Sequence, residues 1–317
     1  MSIDNGERVD NNERDGSAER NGGSEPIGGE RLATRLLESS VRRSYDPLIE
    51  IDWAAPIDGD LFWLDPRRSS LYGTSLWDGL DHRQRVELTK HEVASAAGAG
   101  IWFETILMQM LVRQYYHQDP TSRDAQYALT EVADECRHSV MFGRLIERLG
   151  TPVYRPGRVD NQLGRLLKAT ARGPEMYSAT LIVEEVLDRF QREIMSDESL
   201  QPLIRMVSRV HVVEEARHVR YARAALERWV AATGPVGLAA TRLSLGRTAM
   251  AVATWLVHPR VYDAVGIDPA TGHAAARRNP HWRETLRWSA EKVVATFDDL
   301  GLIRGPGAAL WRRSGLI

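Results

Sequence analysis

Two short stretches decide the fold: DECRH at residues 134–138 and EEARH at residues 214–218. Each has a carboxylate, then a glutamate, one small residue, an arginine and a histidine. On a helix, a glutamate and a histidine three positions apart lie on one face, about one turn apart. Each stretch therefore predicts a helix that presents a Glu-x-x-His pair, and their repetition suggests that both pairs belong to one site.

The sequence around both stretches is typical of long helices, because apolar residues recur at helical spacing over many turns. Pro120 stops one such helix and Ser122 can cap the next, which ends at Gly150. We predict helices over residues 31–43, 83–117, 122–149, 174–195, 199–231, 235–257 and 280–299. No segment has the sustained alternation of a β-strand. The prediction is an all-α fold, an antiparallel four-helix bundle over residues 82–231 with additional flanking helices.

Composition divides the rest of the chain. Residues 1–30 are rich in Asn, Gly, Ser and charged side chains and cannot bury enough apolar surface to fold, so we predict a disordered tail. Residues 31–317 are expected to form one domain. Within it, residues 44–80 are rich in Pro, Gly, Asp and Trp and predict an ordered arm whose aromatic side chains pack across the helices.

The overall charge excludes several partner classes. With 317 residues and a net charge of −2, the chain has no basic excess for nucleic acid and no charge signal for a membrane surface. The single cysteine, Cys136, excludes an internal disulfide and fits a reducing compartment. Arg242 and Arg247 interrupt the apolar run at 237–257, which argues against a membrane span. We predict a cytoplasmic protein.

A Glu-x-x-His pair from each of two helices is the pattern of four-helix bundles that bind two metal ions. Such a site needs one further glutamate from each of the other two helices. In an antiparallel hairpin, residues at equal distances from the turn lie at equal height, so the partner of Glu135 is Glu104. The partner of Glu215 is Glu184 or Glu185. Glu184 is favoured because both pairs are then 31 residues apart, and because it borders an apolar face. Glu185 is expected to point away from the site, either solvated or supporting a ligand.

The 80-residue repeat is broken at one position, where Glu131 of the first copy corresponds to His211 of the second. His211 shares a helical stripe with Glu215 and His218, so we predict that it is a third histidine ligand. Glu131 is either another ligand or a carboxylate in the first turn of its helix, where it would interact with the helix dipole.

Two arginines of the repeated stretches are expected to orient the ligands. Arg137 and Arg217 can pair with Asp134 and Glu214, either three residues apart on one helix or across helices. Bridging carboxylates offset the repulsion between two metal ions, and imidazole is a neutral ligand suited to iron. Coordination positions left open can bind dioxygen.

With these motifs the chain resembles the p-aminobenzoate N-oxygenase family of ferritin-like di-iron oxygenases, from about Tyr45 to Thr296. The resemblance is carried by the segments YDPLIEIDW (45–53), LYGTSLWDGLDHRQRVELTKHE (71–92), ALTEVADECRHSVMF (128–142), LIVEEVLD (181–188) and HVVEEARHVRYAR (211–223). It implies two iron ions per chain, held by four glutamates and three histidines. These seven ligands are Glu104, Glu135, His138, Glu184, His211, Glu215 and His218.

The resemblance also implies a homodimeric monooxygenase that N-oxygenates an amine, aromatic by preference, through a peroxo-bridged diferric species. Dioxygen and an external electron donor are required, since no flavin or nicotinamide site is visible in the sequence. Two alternatives remain. An acyl-chain desaturase or hydroxylase of the same fold needs six ligands and would leave His211 uncoordinated. A non-catalytic ferritin-like protein would bind metal without forming the oxygen intermediate.

Overall fold

The computed structural model describes residues 27–317, and their secondary structure is helical without a strand. The helices are α1 Ile27–Arg42, α2 Pro47–Glu50, α3 Ser75–Asp78, α4 His82–Tyr115, α5 Arg123–Leu149, α6 Arg158–Thr170, α7 Pro174–Ser196, α8 Pro202–Ala232, α9 Pro235–Trp255, α10 Pro269–Arg278, α11 Pro280–Asp299 and α12 Gly305–Ser314. Two short 3-10 helices cover Pro66–Arg68 and Pro259–Val265. The predicted all-α class is confirmed.

The long helices α4, α5, α7 and α8 form the bundle. α4 packs along α5 and α7 packs along α8, so each pair is a hairpin, and the two hairpins meet through contacts of α4 with α7 and of α5 with α8. The outer helices cover this bundle: α1 lies on α5 and α8, α9 and α11 lie on α7, and α12 lies on α9. The predicted antiparallel four-helix bundle with flanking helices is confirmed.

The ends of α4 and α5 follow from capping residues. At α4, Asp81 accepts a hydrogen bond from the backbone N–H of Gln84 (2.8 Å), and the Gln84 side chain accepts one from the N–H of Asp81 (3.0 Å), which is a capping box. At α5, Ser122 accepts from Ala125 N–H (3.2 Å), and Gly150 ends the helix in the left-handed conformation at φ 64°. Both predicted boundaries of α5 are confirmed.

Several helices differ from the prediction. α1 begins at Ile27, four residues before the predicted start, so residues 27–30 of the tail predicted over 1–30 are helical. Residues 1–26 lie outside the described part of the chain. α8 begins at Pro202, because a proline is tolerated in the first turn, where its missing N–H costs nothing. The helices α6, α10 and α12 were not predicted. They are 13, 10 and 10 residues long, and each is followed or preceded by proline and glycine, which obscure short periodic patterns.

The arm before α4 is ordered and contacts several helices, as predicted. Trp63 is 1% exposed, and Trp53, Phe62, Tyr72 and Trp77 also pack in or against the hydrophobic core. Polar contacts hold the same segment. The guanidinium of Arg148 donates to the carbonyls of Trp53 and Ala55, both at 3.0 Å. The arm therefore closes one side of the bundle.

Within residues 27–317, α4 is the helix long and apolar enough to cross a membrane by length and composition. Core helices of ordinary bundles pass the same test, and α4 carries the buried acidic residues Glu92 and Glu104. It packs against α5, α6 and α7. Its apolar character is therefore explained by its central position among the other helices.

Candidate metal centre

All seven predicted ligands lie in the middle of the bundle and are at most 3% exposed. α4 contributes Glu104, α5 contributes Glu135 and His138, α7 contributes Glu184, and α8 contributes His211, Glu215 and His218. Such burial of four carboxylates is unfavourable unless cations accompany them. The helices that carry them are long enough to bring all seven to one level from both hairpins.

The donor atoms of these residues converge on a common volume. Three trios have ligand atoms within 4.8 Å of one another: Glu104, His138 and His211; Glu135, His138 and Glu215; and Glu184, His211 and Glu215. The seventh residue, His218, joins through its Nδ1, which lies 2.9 Å from Glu215 Oε1 and 3.1 Å from Glu135 Oε1. The structure thus brings all seven predicted residues together.

The polar atoms at the centre fit a metal pair better than they fit one another. Within residues 27–317, five buried atoms of the seven candidate ligands make no well-directed hydrogen bond. They are both carboxylate oxygens of Glu135, Glu215 Oε2, His138 Nδ1 and His211 Nε2. Buried polar groups without partners are rare in folded proteins, and carboxylate oxygens with imidazole nitrogens are a suitable donor set for iron. The residues present therefore fit the di-metal site that the sequence predicts.

Each histidine of the repeated stretches is oriented by the first carboxylate of the other stretch. His138 Nε2 lies 2.9 Å from Glu214 Oε2, and His218 Nε2 lies 3.1 Å from Asp134 Oδ2. A hydrogen bond at Nε2 puts the proton on that nitrogen and leaves Nδ1 with a lone pair for a metal. The repeat in the sequence is therefore a reciprocal exchange of contacts between α5 and α8.

The two arginines extend this arrangement. Arg137 pairs with Asp134 on α5, while Arg217 lies 3.7 Å from Glu214 on its own helix and 3.5 Å from Asp134 across the bundle. The expected pairing, both within a helix and between helices, is confirmed. These ion pairs fix the carboxylates that in turn fix the two histidines.

The charges of the cluster are strongly coupled. Burial raises the pKa of Glu184 well above the usual value, and the nearby carboxylates of Glu215 and Glu135 raise it further. Burial opposes ionisation of Glu215 as well, but the facing imidazole of His218 holds its pKa well below the usual value. Burial also opposes protonation of His138, but the carboxylates around it, Glu135 first, raise its pKa well above the usual value. Protons on the histidines thus balance the carboxylates, so metal binding must displace protons.

The third histidine has a different orienting partner. His211 Nδ1 lies 2.7 Å from Gln191 Oε1, so Nδ1 donates and Nε2 is left free. His211 Nε2 is 3.7 Å from Glu104 Oε1 and 3.8 Å from Glu215 Oε1. Sequence reasoning missed Gln191. Its position seven residues after Glu184, two turns along the same face of α7, is the signal that could have found it.

Two neighbouring carboxylates differ from the expectation. Glu185 is not solvated: it is 5% exposed and makes a two-pronged contact with the guanidinium of Arg223, one bond being 2.9 Å. Glu131 is not in the first turn of its helix, since α5 begins eight residues earlier, so the dipole explanation is wrong. Glu131 is buried and its Oε2 lacks a partner among the described residues, and burial raises its pKa to about 8.

A four-helix bundle in which two helices each supply a buried glutamate and the other two each supply a Glu-x-x-His pair defines the class of ferritin-like di-iron or di-manganese carboxylate proteins. The model of the p-aminobenzoate N-oxygenase AurF family matches residues 28–301. The chain belongs to that family. Family membership and the carboxylate–histidine cluster together support a di-metal centre in this chain.

The individual relatives add nothing about activity, because the matching proteins are named as uncharacterized. An uncharacterized protein of Mycobacterium bovis is 33% identical over 202 residues, as are two uncharacterized proteins of Mycobacterium tuberculosis. The aligned region spans 61% of this chain and 58% of the length of each relative. A mutant of an R2-like ligand-binding oxidase with an aerobically reconstituted Mn/Fe cofactor is a structural neighbour. It is 12% identical, with 90% of this chain and 89% of that chain covered and a TM-score of 0.41.

Proposed function

We propose that the protein is an O2-dependent di-iron oxygenase that N-oxygenates an amine, with an arylamine the favoured substrate. The observation that carries the proposal is His211, whose bare Nε2 faces Glu104 and Glu215 while Gln191 holds its other nitrogen. In a seven-ligand site, the Nε2 atom of this third histidine would bind a metal ion. A desaturase-like site of six ligands would leave this buried nitrogen without a partner.

The residues that would hold the two iron ions are the seven predicted ligands, Glu104, Glu135, His138, Glu184, His211, Glu215 and His218. When bound, the iron pair supplies the redox chemistry that reduces O2 and transfers one oxygen atom to nitrogen. For an amine oxidised to a hydroxylamine, one O2, two electrons and two protons are consumed, and one water is released. An external donor must provide the two electrons.

The chain's own side chains would control protons and water in this reaction. Glu184, with its raised pKa, can hold a proton inside the bundle, and the reciprocal contacts of Asp134 and Glu214 keep two imidazoles in one tautomer. All seven donor residues are shielded from solvent. A site dry in this way protects a reactive oxidant from side reactions with water.

Family membership also supports a homodimer that acts in a biosynthetic pathway, and the single cysteine supports a cytoplasmic location. These remain proposals, as does the division of the chain into a tail over residues 1–30 and one domain over 31–317. Analytical ultracentrifugation of the full chain tests the homodimer directly.

The function is tested by anaerobic reconstitution with Fe(II), a metal count, and exposure to O2 with and without arylamines, with products identified by mass. We expect two irons per chain and a gain of one oxygen on the amine nitrogen. His211→Ala should lower the iron count toward one and abolish turnover, whereas the exposed His117→Ala should change neither. One iron or none in the wild-type protein would contradict the proposal. Unchanged turnover in His211→Ala would favour a desaturase-like site.

A further inference from the structure

A mainly apolar cavity lies inside the bundle and adjoins the metal-binding residues. Phe142 lines it, with its ring 4.9 Å from the ring of His211, and Gln191 lines it while bonded to His211. Leu187, one turn after Glu184, lines it as well. The cavity therefore begins beside the proposed ligands and is a suitable place for a reacting molecule.

The cavity extends along the bundle away from the metal residues. Glu92 lines its far part and precedes Glu104 on α4 by twelve residues, which corresponds to about 18 Å along the helix axis. Ser208 lies nearer to the metal residues, one turn before His211 on α8. A molecule that fills the cavity is accordingly elongated.

Four of the lining residues are polar: Arg68, Glu92, Gln191 and Ser208. The guanidinium of Arg68, the cation among them, is already occupied. It donates to both carboxylate oxygens of Glu193 at 2.8 and 3.0 Å, and it lies 3.6 Å over the ring of Trp288. Because Arg68 is paired with Glu193, these two side chains together carry no net charge that would attract a ligand carboxylate.

Two polar atoms of the lining are buried without partners in residues 27–317: Glu92 Oε2 and Ser208 Oγ. Their residues are 4% and 1% exposed. The other oxygen of Glu92 accepts hydrogen bonds from Ser70 N–H (2.9 Å) and Ser70 Oγ (2.6 Å), which fixes the carboxyl group. The buried Ser69 hydroxyl lies close enough to this carboxyl to lower its pKa, but Oε2 makes no well-directed hydrogen bond. An unpaired buried acceptor is unfavourable, so a ligand that donates a hydrogen bond to Oε2 gains affinity there.

The charge of Glu92 also favours a ligand group that donates a hydrogen bond to this carboxyl. Burial raises the pKa of Glu92 to about 7, because no cation offsets the loss of water. A hydroxyl or protonated amino group beside this carboxyl stabilises its ionised form. A ligand carboxylate would instead meet a second carboxyl in a dry, apolar setting, which is unfavourable.

We propose that this cavity is the substrate-binding site and that its substrate is an elongated apolar amine whose far end carries a hydroxyl or amino group that donates to Glu92 Oε2. The proposal rests on the proposed function for the identity of the reacting amine. The proposed substrate differs from one of the p-aminobenzoate type, whose far end is a carboxylate.

The test uses the Fe(II)-loaded protein without O2 and measures dissociation constants by calorimetry. The probes are anilines with a 4-alkyl chain of varied length that ends in methyl, hydroxyl, amino or carboxylate. At the best chain length, the hydroxyl- or amino-ended probe should bind about 10-fold more tightly than the methyl-ended probe, and the carboxylate-ended probe most weakly. Equal or tighter binding of the carboxylate-ended probe overturns the proposal, as does the absence of any preference for a donor end.

Variants assign the effect to Glu92 and to the cavity. In Glu92→Gln the side-chain amide can donate, so the preference should invert toward the carboxylate-ended probe. Glu87→Gln, on the same helix but outside the cavity, should leave the preference unchanged. Ala96→Leu should fill the cavity and weaken every probe with the iron count kept at two, which provides a test if Glu92→Gln does not fold. Unaltered binding in Ala96→Leu would overturn the assignment of the cavity.

Exposure of the same complexes to O2 distinguishes this inference from the proposed function. If donor-ended probes bind as expected but no oxygen reaches nitrogen, the N-oxygenase proposal fails and the binding site stands. If a carboxylate-ended aniline binds most tightly and is N-oxygenated, the function stands and the inference about Glu92 is wrong.

Discussion

Single carboxylates decide the behaviour of single histidines in this bundle. Glu214 contacts His138 Nε2 from the opposite hairpin, and its other oxygen, Oε1, accepts a hydrogen bond from the backbone N–H of Tyr45 at 3.0 Å. Glu214 thus links a ligand to the start of the arm. An amide in its place would accept the same bond without the negative charge that increases the basicity of the imidazole.

We therefore expect Glu214→Gln to weaken iron binding by roughly 10- to 100-fold, measured by anaerobic competition with a chelator. Glu185→Gln is the matched control, because Glu185 is a buried glutamate of α7 paired with Arg223 and not with a histidine. That variant should lose folding stability without a comparable loss of iron affinity. Equal iron affinity in both variants would show that the orienting contact is unimportant.

Glu92 gives the protein a distinct dependence on pH. Its carboxyl has a pKa of about 7 in the folded chain against 4.5 when unperturbed, because burial penalises the charged form. Below pH 4.5 the proton is bound in both states, and as the pH rises to about 7 the unfolded chain loses it first. The wild-type free energy of unfolding should therefore fall by about 3 kcal/mol over this range relative to Glu92→Gln. Urea unfolding of both metal-free proteins between pH 4 and 8 measures the difference, and parallel profiles would contradict the assigned burial effect.

The residues of the metal cluster could be predicted because they share one translational register and lie on helices. Ser208 and Glu92 could not, since their roles depend on which side chains they face across the bundle. Nothing in the local pattern distinguishes Glu92 from the other acidic residues of α4. Which side chains of two helices face each other depends on how the helices pack, and the spacing of residues along one helix does not reveal it.

At the scale of elements, close approach of α12 to α9 depends on glycine. A Cβ atom at Gly307 would collide with the backbone carbonyl of Arg242, and one at Gly246 would lie 2.7 Å from the carbonyl oxygen of Gly307. Backbone atoms cannot move aside as a side chain can, so the two helices would have to separate. The close approach of these two helices thus depends on two glycines.

Gly307→Ala should consequently destabilise the protein by about 1–3 kcal/mol, by thermal or urea unfolding followed with circular dichroism. Gly143→Ala is the matched control in the exposed middle of α5, where a Cβ would contact nothing within 4 Å. It should instead stabilise by about 0.5–1 kcal/mol, because alanine restricts the unfolded chain. A stable Gly307→Ala protein would indicate that α12 can shift without loss.

The sequence predicts the helices that have a strong local pattern and does not predict the short helices that depend on tertiary contacts. α4, α5, α7 and α8 have many turns of repeated apolar spacing, so their existence follows from local chemistry. Capping side chains mark the starts of α4 and α5, and prolines mark the starts of α7 and α8. α12 contains three prolines or glycines and two alanines in its first half, and its helical state depends on α9. Short helices stabilised by tertiary contacts lack a signal of their own.

For the whole molecule, the buried carboxylates make stability dependent on metal. Metal-free protein must balance the charges of Glu104, Glu135, Glu184 and Glu215 with protons held on the carboxylates and on the facing histidines, whereas bound cations would replace these protons. Fe(II) at 100 times its dissociation constant should add roughly 2.7 kcal/mol per site, observed as a concentration-dependent rise in Tm under anaerobic conditions. His138→Ala should reduce the rise. A Tm independent of Fe(II) would contradict the assigned centre.

The exchange of carboxylates between the hairpins has a consequence for the lifetime of the protein. Asp134 and Glu214 each orient a histidine of the other hairpin, so neither hairpin alone contains a complete, correctly oriented half of the centre. Opening the interface between hairpins and releasing the metals are then one event. A chain made under iron starvation would open more often and be degraded sooner, so its abundance would follow the iron supply without any dedicated sensor.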